Sequence, residues 1–325
     1  MGGSLDPQVA RARTCVRAAL GDLPSGARVL VAVSGGADSL ALAAATGFVA
    51  PRMGLRAHGL VVDHALQDGS ADVAETAARR AHDVGLDPVD VARVRVDGRG
   101  GPEAAARQAR YDALRRAAVR EDASAVLLAH TRDDQAETVL LGLARGSGAR
   151  SLAGIAPLDG LWRRPFLSLT RVQTEQVCAA SGLPWWDDPH NDDRSYARVR
   201  VRHEALPALE DALGPGVAAA LARTASLLRD DADLLDRLAA ESHPRCLDDD
   251  GELDASVLGG LPPALRSRVV RRAALAAGCP AADLTAGHVS AVEALVLDWH
   301  GQGPLDLPGG VRARRSDGRL LFSRP

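Results

Sequence analysis

Residues 28–39, RVLVAVSGGADS, constrain the fold of this chain more than any other segment. The apolar run VLVAV ends abruptly in Ser34-Gly35-Gly36, and the helix-forming residues LALAAATGFVA follow Ser39. This order predicts a strand, a tight glycine turn and the start of a helix. Glycines let the backbone approach an anion closely, and the first N–H groups of a helix carry partial positive charge. The segment therefore indicates a phosphate-binding loop in an α/β fold.

The charged residues limit the chemistry that is open to this chain. All 39 Lys+Arg residues are arginines, so both the lysine-containing Walker loop and lysine Schiff-base chemistry are excluded. The formal net charge is −3, and any contact with RNA must therefore come from local arginine clusters. The four cysteines lie far apart in the sequence, which is typical of reduced thiols in a cytosolic protein.

Neither an apolar signal-peptide core at the N-terminus nor an apolar run of membrane-spanning length is found in the sequence. We therefore expect a cytoplasmic protein without membrane contact. The 325 residues, 46% of them hydrophobic, suffice for two domains.

Strand-like and helix-like segments alternate through the first half of the chain. Strands are predicted at 28–33, 55–63, 89–96 and 125–129, and helices at 38–49, 70–84, 102–120 and 133–144. Such alternation predicts a parallel sheet covered on both faces, with ligands bound at the carboxyl ends of its strands. We predict a Rossmann-like catalytic domain over 1–213, a helical linker over 214–247 and a small α+β domain over 248–325.

A second chemical cluster lies in LLAHTRDDQAET, residues 127–138. Asp133 and Glu137 are one helical turn apart and share a face, whereas Asp134 lies about 100° further round the helix. With His130, these carboxylates could bind Mg²⁺ or hold an ammonium group; an acidic first turn that complements the helix dipole is the plainer alternative. Asp63 and His64 end the second strand; a lone histidine is usually structural, but His64 is expected to face the same cleft.

The order of these motifs resembles a known family. SGGADS is similar to the loop of the ATP pyrophosphatase (PP-loop) superfamily. Together with VDHALQDGS, EAAARQARY, AHTRDDQAET, RRPFLSLTR and the segment that begins WWDDPHNDDR, it resembles the bacterial tRNA(Ile)-lysidine synthetases over about residues 28–209. The C-terminal third resembles them only loosely.

The resemblance implies a ligase that modifies the wobble cytidine in the CAU anticodon of tRNA(Ile). ATP adenylates the oxygen at position 2 of the base with release of pyrophosphate, and L-lysine then displaces AMP through its ε-amine. The modified anticodon reads AUA instead of AUG. ATP would be held by Ser34, Gly35, Gly36, Ala37, Asp38, Ser39 and Asp63.

The same resemblance assigns the remaining site residues. Mg²⁺ would be bound by Asp38 and Asp134, and lysine by His130, Asp134 and Glu137, while Arg110 would stabilise negative charge. These five residues form the expected catalytic set. For the tRNA we expect a basic surface, with an ordinary solvated surface as the alternative, made of Arg145, Arg150, Arg164, Arg194, Arg198, Arg200 and Arg202.

Three rival functions are weighed against this one. A tRNA 2-thiocytidine synthetase needs cysteines for sulfur or an iron–sulfur cluster, and no C-x-x-C pair is present. A ligase of the GMP- or NAD-synthetase kind would lack the DDQAET and RGSG segments. A nucleotide sensor or RNA chaperone would not need the acidic cluster. The sequence leaves the oligomeric state open, a homodimer included.

Overall fold

The computed structural model of the chain describes residues 5–65, 69–96, 102–146 and 148–324, and the side chains of 102–104 are not described. Residues 66–68 of the VDHALQDGS motif, the side chain of Glu103 and Ser147 of the RGSG segment therefore lie outside the description. The chain divides into two compact units, Met1–Ser147 with Gly154–Ala225, and Gly148–Ala153 with Ser226–Pro325. The division falls inside the long helix of the expected linker, whose role stays a prediction.

The helices and strands of the first half are α1 (Pro7–Ala19), β1 (Arg28–Val33), α2 (Ala37–Arg52), β2 (Arg56–Asp63), α3 (Ser70–Asp83), β3 (Val89–Arg93), α4 (Pro102–Arg120), β4 (Ala123–Leu127) and α5 (Arg132–Ala144). Further along the chain come α6 (Ala149–Leu152), β5 (Leu158–Asp159), β6 (Trp162–Arg163), α7 (Arg171–Ala180), α8 (Ala197–Arg200) and α9 (Leu206–Leu213). A five-residue π-helix, Val201–Ala205, joins α8 to α9.

The sheet of the first unit has the strand order β3-β2-β1-β4-β6-β5. All neighbouring strands pair in parallel except β5, which runs antiparallel to β6. The predicted parallel α/β fold is therefore confirmed. The chain proceeds from β1 outward to β3 and returns to place β4 on the other side of β1. Such a switch point opens a crevice at the carboxyl ends of the two central strands.

The central strand β1 is buried from both sides, which explains its continuous apolar sequence. Val29 and Val31 pack with Leu40 of α2 in one cluster, whereas Leu30 packs with Leu114 of α4 in another. Burying one such leucine contributes about 1.5–3 kcal/mol. The β1–α2 corner is thus held rigidly by layers on both faces.

Glycine is required where α2 passes the end of α3. A Cβ at Gly47 would overlap the carbonyl oxygen of Val84, so a larger residue would push the two elements apart.

The second unit contains most of α10 (Val217–Ser242), followed by β7 (Leu253–Asp254), α11 (Ala255–Gly260), α12 (Pro263–Ala276), α13 (Ala286–Leu297), β8 (Leu305–Leu307), β9 (Val311–Ser316) and β10 (Arg319–Ser323). Its antiparallel sheet has the order β7-β10-β9-β8. Asp317 and Gly318 join β9 to β10 with φ values of 50° and 77°, as a tight hairpin turn requires. The expected small α+β fold is confirmed. Among the described helices of both units, none is long and apolar enough to span a membrane.

Candidate active site

The phosphate loop is held by its own serines. The Ser39 hydroxyl donates to the carbonyl of Gly36 at 2.9 Å and accepts hydrogen bonds from the backbone N–H and the hydroxyl of Ser34, at 3.1 and 3.2 Å. Gly35 adopts a left-handed φ of 87°, and its carbonyl accepts from the backbone N–H of Trp186 at 3.0 Å. Because Gly36 offers no side-chain cap to α2, the N-terminal end of that helix remains open to an anion.

The acidic cluster begins at the N-terminus of α5, where Asp134 takes part in a capping box. Its Oδ2 accepts from the backbone N–H of Thr131 at 2.8 Å and from the Thr131 hydroxyl at 3.0 Å. Burial would raise the pKa of Asp134, but the charge of Arg171, the neighbouring His130 and the Thr131 N–H hold it below its usual value. Asp134 is therefore an anion whose Oδ1 is directed away from the cap.

Arg171, the first residue of α7, joins the acidic cluster to the phosphate loop. Its Nε lies 3.6 Å from Oδ2 of Asp38, and its Nη2 lies 3.6 Å from Oδ1 of Asp134. The other oxygen of Asp38, Oδ1, accepts from the hydroxyl of Thr174. Burial raises the pKa of Asp38 to about 6, although Arg171 and Thr174 oppose the rise. The two carboxylates that the sequence pairs as magnesium ligands thus meet at one guanidinium.

Glu137 is fully buried, with 0% of its side chain exposed, and is bound by two arginines. Arg202 donates to both of its oxygens, at 2.7 and 3.3 Å, and the Nε of Arg198 lies 3.2 Å from Oε2. Burial raises the pKa of Glu137, and the Arg202 hydrogen bond opposes that rise. Both arginines come from one helical segment, four residues apart, so they reach the same side.

Asp133 does not join Glu137 in the site, although the two residues are one helical turn apart in the sequence. Its Oδ2 accepts from the backbone N–H of Arg171 at 2.8 Å. It is Asp134 that shares an arginine with Glu137, because Nη2 of Arg202 lies 3.9 Å from Oδ1 of Asp134. The functional face of α5 therefore carries Asp134 and Glu137, three residues apart, rather than Asp133 and Glu137.

A cavity of about 460 Å³ opens at the carboxyl ends of β1, β2 and β4. Its lining brings together the phosphate loop, the end of β2, one face of α4 and the start of α5, through Ser34, Asp38, Ser39, Asp63, His64, Arg107, Arg110, His130, Asp134, Trp186 and Arg198 among others. Glu137 is not among the described residues that line it.

Asp63 is buried at the edge of the cavity. Its Oδ1 accepts from the backbone N–H of Ala65 at 2.9 Å, and its Oδ2 lies 3.8 Å from Nε of Arg93.

Several nitrogen atoms of this cavity have no hydrogen-bond partner among the described residues. They include Nδ1 of His64, Nε of Arg110 and Nδ1 of His130, and each of these atoms is buried. Burial lowers the pKa of His130 to about 3, with Asp134 opposing and Arg110 assisting, so this imidazole is neutral near pH 7. Burial and Arg107 also lower the pKa of Arg110. Buried polar atoms normally have partners, so a polar ligand fits this cavity better than an apolar one.

The seven arginines predicted to contact tRNA fall into different environments. Arg198 and Arg202 bind Glu137, and Arg164 is buried with its Nη1 donating to the carbonyl of Ala156 at 2.8 Å. Arg145 is exposed. The rest are exposed but engaged: Arg150 with Asp233 and Asp236, Arg194 with Glu204, and Arg200 with the carbonyls of Arg194 and Ser195. Arg150 belongs to the second unit and the other six to the first, and their contact with tRNA stays a prediction.

Sequence reasoning missed three residues at this site: Arg171, Thr174 and Trp186. The segments RRPFLSLTR and WWDDPHNDDR contain or border them and were noticed for their resemblance, but nothing local predicts which acid Arg171 or Thr174 would contact.

The parallel sheet with a serine–glycine loop at its switch point defines a PP-loop protein, and residues 10–209 match the model of the PP-loop domain family. Residues 253–321 match the model of the TilS substrate binding domain. The chain is 58% identical over 317 residues to the tRNA(Ile)-lysidine synthase of Thermobifida fusca, covering 98% of each chain. It belongs to the tRNA(Ile)-lysidine synthase family.

Two further comparisons agree with this assignment. The tRNA(Ile)-lysidine synthase of Streptomyces coelicolor is 57% identical, with 92% of this chain and 86% of the relative covered, and that of Mycobacterium bovis is 48% identical, with 90% of each covered. Among solved structures, the U34-tRNA thiolase NcsA from Methanococcus maripaludis, with its [4Fe-4S] cluster, matches with a TM-score of 0.56 at 18% identity, over 68% of this chain and 80% of that one. This last match concerns the fold alone.

Proposed function

We propose that this chain is an ATP-dependent carbon–nitrogen ligase that attaches L-lysine to position 2 of the wobble cytidine in the CAU anticodon of tRNA(Ile). The observation that carries the proposal is the single cavity at the switch point, which the phosphate loop and the start of α5 both line. Membership of the tRNA(Ile)-lysidine synthase family supports the choice of substrates.

ATP fits the cavity through its phosphates. The open N-terminus of α2 and the serine-braced loop offer backbone N–H groups to the pyrophosphate. Arg110 has a buried Nε without a partner among the described residues, and it would bind negative charge that develops on the α-phosphate. The cytosine oxygen attacks this phosphorus, pyrophosphate leaves, and the base carries AMP on its former carbonyl oxygen.

The acidic residues fit a magnesium ion. Asp38 and Asp134 each have one oxygen in a side-chain or capping hydrogen bond and a second directed at the same cation, Arg171. Two carboxylates combined with substrate phosphates and water are a usual ligand set for Mg²⁺. When bound there, the ion would neutralise charge on the departing pyrophosphate. Asp38 and Asp134 would hold it.

Lysine needs groups of both charges, because it carries two ammonium groups and a carboxylate. Asp134 and Arg198 line the cavity and supply one group of each sign. Glu137 pairs with Arg198 and Arg202 next to them. Neutral His130, also on the cavity wall, adds a polar contact without repelling an ammonium. The deprotonated ε-amine attacks C2 of the adenylated base, the C2–O bond breaks, and AMP leaves with the oxygen.

The tRNA would be held by both units. The second unit matches the TilS substrate binding domain, and in the first unit Arg145 and Arg194 are exposed arginines. We assign the anticodon loop to the cavity because the target base must leave its stack to reach the phosphate loop, which unpaired loop bases do at low cost.

Mass spectrometry of the tRNA tests the proposal directly. Purified protein is incubated with ATP, Mg²⁺, L-lysine and a tRNA(Ile) transcript with a CAU anticodon, and the wobble nucleoside should gain lysine less one water. AMP and pyrophosphate should form in equal amounts. Matched controls are tRNA(Met), which has the same anticodon, and tRNA(Ile) with uridine at the wobble position. Incorporation of sulfur, or ATP turnover on a free nucleotide without tRNA, would overturn the assignment.

A further inference from the structure

Arg171 occupies an unusual place for an arginine, because it contacts the two carboxylates assigned to a metal. Its guanidinium touches Oδ2 of Asp38 and Oδ1 of Asp134, each at 3.6 Å. These are the oxygens left over after Thr174 has bonded Oδ1 of Asp38 and Thr131 has bonded Oδ2 of Asp134. The oxygens available to a divalent cation are therefore the ones that Arg171 covers.

The backbone of Arg171 is fixed while its side chain retains freedom. Thr170 and Gln173 form a capping box at the start of α7, and the N–H of Arg171 donates to Asp133 at 2.8 Å. The side chain is 28% exposed, and its two ion pairs are longer than good charge-assisted hydrogen bonds of about 2.7–2.9 Å. A long side chain on a rigid anchor can turn away from the carboxylates without any change of fold.

The contact of Arg171 with Asp38 and Asp134 balances the negative charge of the two carboxylates. Asp134 and Asp133 lie close enough to Asp38 for their negative charges to raise the pKa of its carboxyl. Without a cation between them, two buried carboxylates would repel each other or take up a proton. The positive charge of Arg171 opposes both effects. Burial lowers the pKa of Arg171, but the carboxylates around it, chiefly Asp134 and Asp38, raise it by more.

We propose that Arg171 is a positioning residue that stands in for the divalent cation in the nucleotide-free protein and turns aside when the metal enters with ATP. The proposal rests on the function proposed above, since it takes Asp38 and Asp134 as the metal ligands. It follows that the free protein binds divalent cations weakly, and that the metal enters together with the phosphates that complete its ligand set.

Direct metal binding tests this role without reference to catalysis. Free Mn²⁺ is measured by electron paramagnetic resonance while it is titrated with protein in the absence of nucleotide. Arg171→Gln should bind Mn²⁺ at least about tenfold more tightly than the wild type, because a cation in direct contact with both ligands has been removed. Arg171→Lys keeps the charge and should bind as weakly as the wild type, and circular dichroism establishes that both variants are folded before the titration.

Two further variants distinguish the effect of the direct contact of Arg171 with the aspartates from the effect of the overall positive charge near the site. Arg198→Gln removes an arginine of similar exposure, 29%, which pairs with Glu137 instead of the two aspartates. It should change Mn²⁺ affinity far less than Arg171→Gln. The double variant Arg171→Gln with Asp134→Asn should lose the gained affinity.

Equal Mn²⁺ affinity in the wild type and Arg171→Gln, or an equal gain in Arg198→Gln, would overturn the role of Arg171. The proposed function is tested separately: it fails if the wild-type protein adds no lysine to the tRNA. If Arg171→Gln gains Mn²⁺ affinity but the wild-type protein transfers no lysine, the ligase assignment is refuted and the role of Arg171 stands.

Discussion

The two halves of the candidate site, the phosphate loop and the acidic cluster on α5, are built in opposite ways. The phosphate loop is local, because its serines and glycines bond one another within six residues, Ser34 to Ser39. The acidic half is assembled from distant pieces of chain. Thr174 reaches Asp38 across 136 residues, and Arg202 reaches Glu137 across 65. A local motif carries its geometry in its sequence, whereas the acidic half depends on the sheet and on α7 and the π-helix for its arrangement.

This contrast predicts where substitutions act. Changes in the acidic half should alter chemistry and inter-element packing together, because each carboxylate also holds two elements in place. Changes in the phosphate loop should remain confined to nucleotide binding.

The largest effect is expected where the two halves meet. Asp38→Asn and Asp134→Asn each remove a proposed metal ligand and an Arg171 contact while keeping side-chain size. Adenylation, measured as tRNA-dependent pyrophosphate release, should fall by about 10³-fold or more.

Asp133→Asn is the matched control for these two variants, since its amide oxygen can still accept from the N–H of Arg171. It should retain most of the rate. If Asp38→Asn releases pyrophosphate at a rate within tenfold of the wild type, Asp38 is not a catalytic residue. The phosphate loop and the acidic cluster would then not act together in adenylation.

The second-largest loss of activity is expected for substitution of Arg110. Arg110→Met removes a partly buried cation from the cavity wall, and kcat for adenylation should fall by about 10²-fold, as when one stabilising donor is lost. Arg107→Met is the comparison, because Arg107 lines the same cavity from the next helical turn but is exposed and bonds Tyr111 at 3.3 Å. Equal losses in both variants would mean that only the summed positive charge matters.

Glu137 distinguishes a binding role from a structural one. Glu137→Gln leaves two arginines short of their counter-charge and should lower the free energy of unfolding by about 3 kcal/mol. If Glu137 also binds lysine, KM for lysine should rise at least about tenfold and adenylate should accumulate, since the loss of a charged contact is worth that much. Quenched-flow assays and denaturant titration measure the two effects separately.

The second unit supplies the control for Glu137. Glu293, with a side chain 16% exposed, pairs with Arg266 at 3.0 Å and lies far from the phosphate loop in sequence. Glu293→Gln should lower stability while leaving KM for lysine unchanged. A Glu137→Gln variant with the same pattern would make Glu137 a structural brace between α5 and the π-helix.

The sequence predicts the fold well because its signals are local. β1 lies at the predicted residues 28–33, and the carboxyl-end rule for parallel strands correctly places the SGGADS loop and His130 on one cavity. Short elements escape prediction, as with two-residue β7, because they carry no periodicity.

Contacts between remote residues escape for a different reason. The sequence around Arg171 is an ordinary helix start, and only the packed α7 shows that its guanidinium meets Asp38 and Asp134. The π-helix at Val201–Ala205 likewise lies between α8 and α9, and no local pattern predicts it. π-helical turns are frequent at functional sites, and this one carries Arg202 to Glu137.

The smallest effect is expected inside the phosphate loop. Ser39→Ala removes one acceptor and one donor from a side chain that is only 5% exposed, so the Ser34 N–H and the Gly36 carbonyl lose their partner. We expect a loss of about 1–2 kcal/mol in stability and a rise of about fivefold in KM for ATP, with KM for lysine unchanged. Ser34→Ala should do less, because the backbone N–H of residue 34 still reaches Ser39. A Ser39→Ala variant that also weakens lysine binding would contradict the separation of the two halves, because it would couple the local loop to the acidic cluster.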